Sequence, residues 1–330
     1  MLFDSYQRQI KDLRISLTDR CNFHCFYCNP KHRAEFANKE NILSFEEIVY
    51  LSEIFVELGI EKIRLTGGEP LLRKNIEILI GNLSKLKNRH LKDLAMTTNG
   101  FSLSRRAETL KLVGLDRVTI SLDSLKKDNF QKITGIDKLD EVLAAIKAAK
   151  HANLNPVKIN AVIVRGWNDD EIVELASFAR EMSVSMRFIE YMPLDSGQDW
   201  SRKKVVSGKE IFARINEVFP LEPKSELLFS ETARTFSFKD SSNGEIGIIA
   251  PISEIFCSAC SRIRLTADGQ IRTCLFSTNE HNLRDLLRSG AKRTEIIGFI
   301  QSAVMQKERS HSINDSEFQP ASRSMSFIGG

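Results

Sequence analysis

The chain has 330 residues, 42% of them hydrophobic and 27% charged, and its 47 lysines and arginines against 43 acidic residues leave a net charge of +4. A balance so even, spread along the whole chain, leaves no basic excess for bulk nucleic-acid binding, so any anion site must be built from a few converging cations. No run approaches the roughly 18 apolar residues that a membrane span requires, and the start, MLFDSYQRQIKDLRISL, lacks a signal-peptide core. A cytoplasmic location, where thiols stay reduced, is therefore the expectation.

Short β-branched or aliphatic runs recur in chain order: LRISL near 13, KIRLT near 62, DLAMT near 93, RVTISL near 117, VKINAVIV near 157 and MRFIEYM near 186. Helical patterns separate them. Ser44 and Glu47 form a capping box ahead of SFEEIVYLSEIFVELG, whose apolar residues recur near a 3.6 period and whose end is marked by Gly59. LDEVLAAIKAAKHA and DDEIVELASFAREM have the same character. Strands alternating with helices predict parallel βα units, and six of them fit an incomplete barrel or a doubly wound sheet. The residues of unusual chemistry follow strands: cysteines after LRISL, GGEP after KIRLT, TTNG after DLAM, SLDS after RVTI and YMP after RFIE. Loops at strand C-terminal ends carry the chemistry of barrels, which favours that fold.

Past about residue 220 the texture changes to PLEPKSELLFSETARTFSF, a hairpin-like SSNGEIGIIA, and CSACSRIRLTADGQIRTCLF. In the last, Asp268-Gly269 between two β-like runs is a turn signal that folds Cys274 back toward Cys257 and Cys260. Two helical patterns, NLRDLLRSGA and RTEIIGFIQSAVMQKE, precede a polar tail ending in Gly329 and Gly330. A division into residues 1–225 and 226–330 is expected.

All six cysteines fall into two triads, Cys21, Cys25, Cys28 and Cys257, Cys260, Cys274. Structural zinc takes four ligands and an iron–sulfur cubane usually takes four cysteines, so each triad is one short. Both triads together could make a six-thiolate site, and zinc completed by a His or Asp is an alternative for the second. Three thiolates on a cubane leave one iron open, which is useful where a substrate must bind metal.

Cys21, Cys25 and Cys28, with Tyr27 ahead of the third, form a CxxxCxxC loop that resembles the loop of radical S-adenosylmethionine (SAM) enzymes. TDRCNF, RLTGGEPLLR, MTTNG, SLDS, PVKIN, RFIEYMPL, the second triad with its RIR, and the terminal Gly-Gly resemble the GTP 3′,8-cyclase family of molybdenum cofactor biosynthesis (molybdenum cofactor biosynthesis protein A). The resemblance runs from about residue 7 to residue 330. It implies an α/β fold, an incomplete six-stranded TIM-like βα barrel with an N-terminal cluster, and a C-terminal region carrying a second one. The implied cofactors are two [4Fe–4S] clusters, one on each triad, with SAM on the first as the source of a 5′-deoxyadenosyl radical.

Residue by residue, Tyr27, Gly67, Gly68, Glu69, Ser121 and Met192 match positions that hold SAM, with Pro70 completing the GGEP segment. Arg14, Lys62, Arg64, Thr97, Lys158 and Arg187 match positions that bind GTP, mostly its triphosphate. The period of two places Lys62 and Arg64 on one face of their strand, and guanidinium forks suit phosphate oxygens. Arg262 and Arg264 match arginines beside the second cluster, whose open iron takes the guanine base, and with Gly329 and Gly330 they are assigned to catalysis. Two residues depart from the family: Asn29 stands where methionine is common and Ser261 where asparagine is usual, and neither change removes a ligand.

The implied reaction takes hydrogen from ribose C3′ and joins that carbon to C8 of the same guanine. The implied partners are GTP, a reductant protein as electron donor, a second copy in a homodimer, and cyclic pyranopterin monophosphate synthase as the enzyme that follows; neither nucleic acid nor membrane is implied. Rival readings are another radical SAM enzyme with an auxiliary cluster, acting on a peptide or sugar, and a non-catalytic zinc-binding protein. Because the tail of the family reaches into the active site, removing Gly329 and Gly330 is expected to abolish formation of the cyclised product while both clusters still assemble. Product yield and iron content of the truncated chain check this, and an unchanged yield contradicts it.

Overall fold

The aliphatic runs pair side by side in chain order. The computed structural model describes residues 1–28, 36–194, 200–224, 232–315, 318–319 and 323–329. In it β1 (Asp12–Ser16), β2 (Lys62–Thr66), β3 (Asp93–Thr98), β4 (Arg117–Ser121), β5 (Lys158–Ile163) and β6 (Ser185–Glu190) form a parallel array in that order. Between and after them come α1 (Phe45–Glu57), α2 (Ile76–Ser84), α3 (Ala107–Leu112), α4 (Lys127–Thr134), α5 (Leu139–His151), α6 (Ile172–Met182) and α7 (Gly208–Val218).

Side chains alternate between two faces along each strand. Leu13, Ile63 and Leu94 share one register row and Ile15, Leu65 and Met96 the next, all fully buried in the main apolar core. The intervening row, Arg14 beside Arg64, faces the other way into the barrel. The parallel strands are thus apolar toward the core and charged toward the lumen, which is what makes the lumen a site.

The C-terminal residues extend this same sheet. They supply β7 (Leu221–Pro223), β8 (Arg234–Phe238), β9 (Glu245–Ile249), β10 (Arg262–Leu265), β11 (Gln270–Arg272) and β12 (His281–Asn282), followed by α8 (Leu283–Arg288), α9 (Arg293–Met305) and α10 (Met325–Ile328). β9 pairs parallel to β6 and β10 parallel to β1, so the barrel strands gain one parallel neighbour at each edge. The full order is β12-β11-β10-β1-β2-β3-β4-β5-β6-β9-β8-β7, an incomplete barrel with β12 and β7 at its edges. Six barrel strands are as expected from the sequence. The two added ones come from backbone pairing at the edges of the array, which side-chain periodicity does not record. The expected boundary at 225/226 falls in a stretch outside the described residues, and strands beyond it share the core of the barrel through Ile246, Ile248, Ile263 and Ile271.

The expected capping box is present at α1: Ser44 Oγ accepts from the Glu47 amide at 3.1 Å, and the Ser44 amide donates to Glu47 Oε2 at 2.7 Å. Glu47 also binds the Arg288 guanidinium, Nε to Oε1 at 2.7 Å, which ties α1 to the end of α8. Replacing Ser44 by alanine is expected to cost about 1 kcal/mol of stability. The check is the urea midpoint, which should fall with an unchanged slope; an unmoved midpoint contradicts the cap.

Candidate active site

Both cysteine triads line one cavity of about 340 Å³ inside the barrel, together with Arg14, Lys62, Arg64, Lys158, Arg187 and Arg262. Cys21, Cys25 and Cys28 follow β1, whereas Cys257 and Cys260 precede β10, which runs parallel to β1. The triads therefore occupy opposite ends of the strands.

The first triad sits on a loop held from several sides. The His24 and Phe26 amides donate to the carbonyls of Thr134 and Ile133 at the end of α4, at 2.8 and 3.2 Å. Phe26 stacks on Trp167 with ring centroids 4.0 Å apart. Asn99, just past β3, donates to Asn22 Oδ1 at 2.9 Å and points at Cys21 Sγ, 3.8 Å away. Tyr27 donates its hydroxyl to Asp123 Oδ2 at 2.6 Å, and Asp123 in turn accepts from the Val162 amide at 2.8 Å.

All six thiols are free. Burial pushes the Cys21 thiol up to about 11 and raises those of Cys25 and Cys28 well above the ordinary thiol value. Left alone, such thiols stay protonated, and bound iron reverses that preference by supplying the missing positive charge. Among the described residues no three His, Cys, Asp or Glu side chains converge on a point that one metal ion could occupy. Cubane ligation asks for no such convergence, because each cysteine takes a different iron. Free, enclosed thiols on a rigid loop fit a cluster.

The GGEP segment packs against the backbone of this loop. The Gly68 amide donates to the Thr18 carbonyl at 2.6 Å and the Glu69 amide to that of Arg20 at 2.8 Å. A Cβ on Gly68 would lie 2.2 Å from the Arg20 carbonyl oxygen, so only glycine allows this approach. Gly67 and Gly68 line the cavity, as do Tyr27, Ser121 and Met192. Glu69 is placed differently from the expectation of a ligand-facing carboxylate. It is 2% exposed and accepts from Thr98 Oγ1 at 2.7 Å, the Asn99 amide at 2.7 Å and the Leu71 amide at 3.0 Å. It works as a strut between the loops after β2 and β3. Burial lifts its carboxyl to about 7 although those donors pull the other way.

The second triad is built on the β10–β11 hairpin, whose Asp268-Gly269 turn brings Cys274 back as expected. Arg8 reaches across from the N-terminus and donates through Nη1 to the carbonyls of Cys257 at 2.7 Å and Arg309 at 2.8 Å. Ser261 is buried, and its carbonyl accepts from the amides of Lys11 and Asp12 at 2.9 and 3.1 Å, which fixes the loop to β1. Lys307 Nζ donates to the carbonyls of Arg262, at 3.0 Å, and Thr273. Burial raises the Cys260 thiol, but the charges of Arg262 and Lys307 outweigh it and hold the group at about 6. This sulfur is prepared as a thiolate.

Between the triads lies a belt of cations. Arg14, Arg64 and Arg264 stand at matching register positions on β1, β2 and β10. Burial lowers Arg14 to about 10, Arg64 to about 9 and Lys158 to about 7, and neighbouring cations push further: Arg262 on Arg14, Arg117 on Arg64, Arg187 on Lys158. Arg264 falls well below its ordinary value for the same reasons. Arg64 Nη1 donates to Thr119 Oγ1 at 3.0 Å and Thr97 Oγ1 at 3.3 Å, whereas Arg14 Nε has no partner among the described residues. Mutually repelling, desolvated cations are a standing demand for a polyanion.

The chain's end reaches the same lumen. Gly329 accepts from Arg264 Nη1 through its carbonyl, with a φ of +85°, and a Cβ there would come within 3.0 Å of Ser16 Cβ and Thr66 Cγ2. Gly330, like Asn29, lies outside the described residues. Sequence reasoning missed Asn99, Arg117, Asp123, Lys307 and His311, all of which border the cavity. Asn99 and Asp123 stand inside TTNG and SLDS, so their position after strands was the available signal; Lys307 falls at the end of the helical pattern RTEIIGFIQSAVMQKE and His311 in the polar tail, where nothing in the sequence marks a site.

Residues 15–179 match the Radical SAM superfamily and residues 184–313 match Molybdenum Cofactor Synthesis C. The chain is 43% identical over 332 residues to the GTP 3′,8-cyclase of Rhodopirellula baltica, covering 100% of this chain and 92% of that one. It is 44% identical to that of Moorella thermoacetica, covering 99% of each. Among solved structures, Streptococcus suis SuiB bound to its precursor peptide SuiA superposes with a TM-score of 0.65 at 14% identity, over 91% of this chain and 71% of that one, a likeness of fold. With a shared fold, both domain matches and this identity over its full length, the chain belongs to the GTP 3′,8-cyclase family of radical SAM proteins.

Proposed function

We propose that the protein converts GTP to (8S)-3′,8-cyclo-7,8-dihydroguanosine 5′-triphosphate, the first step of molybdenum cofactor biosynthesis. The observation that carries this reading is the single cavity bordered by two three-thiol sites with a cation belt between them.

Cys21, Cys25 and Cys28 would hold one [4Fe–4S] cluster and Cys257, Cys260 and Cys274 a second. When bound, a reduced first cluster with SAM supplies the hydrogen-abstracting chemistry. The chain's own residues supply placement. Tyr27, Gly67, Gly68, Ser121 and Met192 border the SAM end. Arg14, Lys62, Arg64, Thr97, Lys158 and Arg187 would grip the triphosphate, and Arg262 with Arg264 would flank the base against the second triad. With base and phosphates both anchored, the ribose is held between them, so C3′ and C8 of one nucleotide meet without a diffusional search. Gly329, on Arg264, narrows the lumen. Leu194, Ile252 and Phe276, with Met192 and Met325 against them, form an apolar wall that excludes water. A reductant protein as donor, a homodimer, hand-over to cyclic pyranopterin monophosphate synthase and a cytoplasmic setting rest on the family resemblance.

Anaerobically reconstituted protein given SAM, a reductant and GTP is expected to yield the cyclised nucleotide by mass spectrometry. SAM cleavage without that product favours another radical SAM chemistry, and a colourless zinc protein without iron or sulfide contradicts both. The belt adds a pH signature. Lys158, held at about 7 in the folded chain, is mostly neutral at pH 8, and a bound triphosphate favours its charged form. GTP binding is therefore expected to take up protons at pH 8 and fewer at pH 6, where Lys158 is already charged; calorimetry in buffers of different ionisation enthalpy measures this, and a buffer-independent heat contradicts it. In the free protein the same group binds fewer protons folded than unfolded, where lysine sits near 10.4, so stability should rise as pH climbs from about 7 to 10.

A further inference from the structure

Arg117 opens β4 at the end of the barrel opposite the first triad, and its guanidinium is only partly used. Nε donates to Asp93 Oδ1 at 2.9 Å and Nη2 to Asp93 Oδ2 at 2.5 Å, a bidentate pair between neighbouring strands. The third nitrogen, Nη1, is buried and has no hydrogen-bond partner among the described residues. A desolvated donor left without an acceptor costs free energy that a wholly structural ion pair would have no reason to bear.

The residue also borders the cavity. It is the charge that weighs most on the Arg64 guanidinium and second only to Arg187 on the Lys158 ammonium, so it is electrically part of the belt. Asp93 offsets its charge and fixes the plane of its fork, leaving Nη1 without an acceptor among the described residues.

Topology says which part of a nucleotide would reach it. The second triad stands on the β10 side of the sheet, and β1, β2 and β3 separate β10 from β4. A base anchored at that triad directs its phosphate chain across the lumen toward β4 and β5. The group farthest from the base along the nucleotide is the terminal phosphate.

We propose that Arg117 is a further substrate-binding residue, receiving the terminal phosphate on Nη1 and so distinguishing a nucleoside triphosphate from a diphosphate. The inference rests on the proposed function of the cavity. The Asp93 pair makes the contact selective, because a pinned fork follows a retreating phosphate less readily than a flexible lysine does.

The test is calorimetric binding of GTP and of GDP to the reconstituted enzyme, wild type and Arg117→Met, with Arg117→Lys as the variant that keeps a cation beside Asp93. Loss of one charge-assisted bond is expected to weaken GTP binding by roughly tenfold to a hundredfold while GDP affinity changes by less than about threefold, so the preference for GTP over GDP collapses. Arg117→Lys should keep the wild-type melting temperature and recover only part of the preference, which separates recognition from folding. Affinities for GTP and GDP that fall in parallel, or a preference unchanged in both variants, overturn the role of Arg117 and leave the cavity's function standing. A wild-type enzyme that binds neither nucleotide overturns the reading of the cavity and this proposal with it.

Discussion

The pairing of β10 with β1 is the constraint on which the site depends. Without it the second triad would belong to a C-terminal appendage with no fixed relation to the first. The pairing is parallel and in register, Asp12 with Arg262 and Arg14 with Arg264, so it fixes both the distance and the phase of the two cysteine loops. It also sets Arg264 beside Arg14, where their repulsion would oppose the pairing if the strand interior did not hold it. Leu13 with Ile263, and Ile15 with Leu265, are buried on the core side of the same rungs. At about 1.5–3 kcal/mol for each such side chain, this apolar contact outweighs two like charges at the effective dielectric of a protein interior, about 4 kcal/mol at close range.

The same division of labour runs round the barrel. One face of each strand supplies the cohesion and the other holds groups that are unfavourable where they stand: desolvated cations and a guanidinium with a spare donor. Such strain is what a binding site stores before its ligands arrive. On the proposed function, iron would take up the thiols and a polyanion would relieve the cations. Glu69, Glu171 and Glu190, buried carboxylates satisfied by amide or hydroxyl donors of neighbouring loops, keep the cavity's rim in shape without entering it.

Much of this was legible in the sequence, for physical reasons. Period-two alternation in KIRLT separates Lys62 and Arg64 from Ile63 and Leu65 wherever the strand is placed, and the Ser44–Glu47 box depends only on local spacing. The cysteine triads announce themselves because thiols in that density seldom serve packing. What stayed hidden depends on partners remote in the chain. That β9 and β10 complete the sheet is a matter of edge hydrogen bonds between strands far apart in sequence. That Glu69 turns inward to Thr98 and Asn99, and that Lys307 and Arg8 clamp the second triad, follows from loops meeting only after the barrel forms. Arg117 begins a strand like any surface cation, and its pairing with Asp93 emerges only from the β3–β4 register.

The central claim is that the second triad holds a cluster whose open iron meets the substrate inside the shared cavity. The direct measurement is electron paramagnetic resonance of the reduced C-terminal cluster, isolated in a chain with Cys21, Cys25 and Cys28 replaced by alanine, with and without GTP. The account predicts about four iron atoms per chain in that variant and a spectrum that changes on adding GTP but not inorganic tripolyphosphate. A cluster whose spectrum is indifferent to GTP, or a variant that holds no iron, would contradict it.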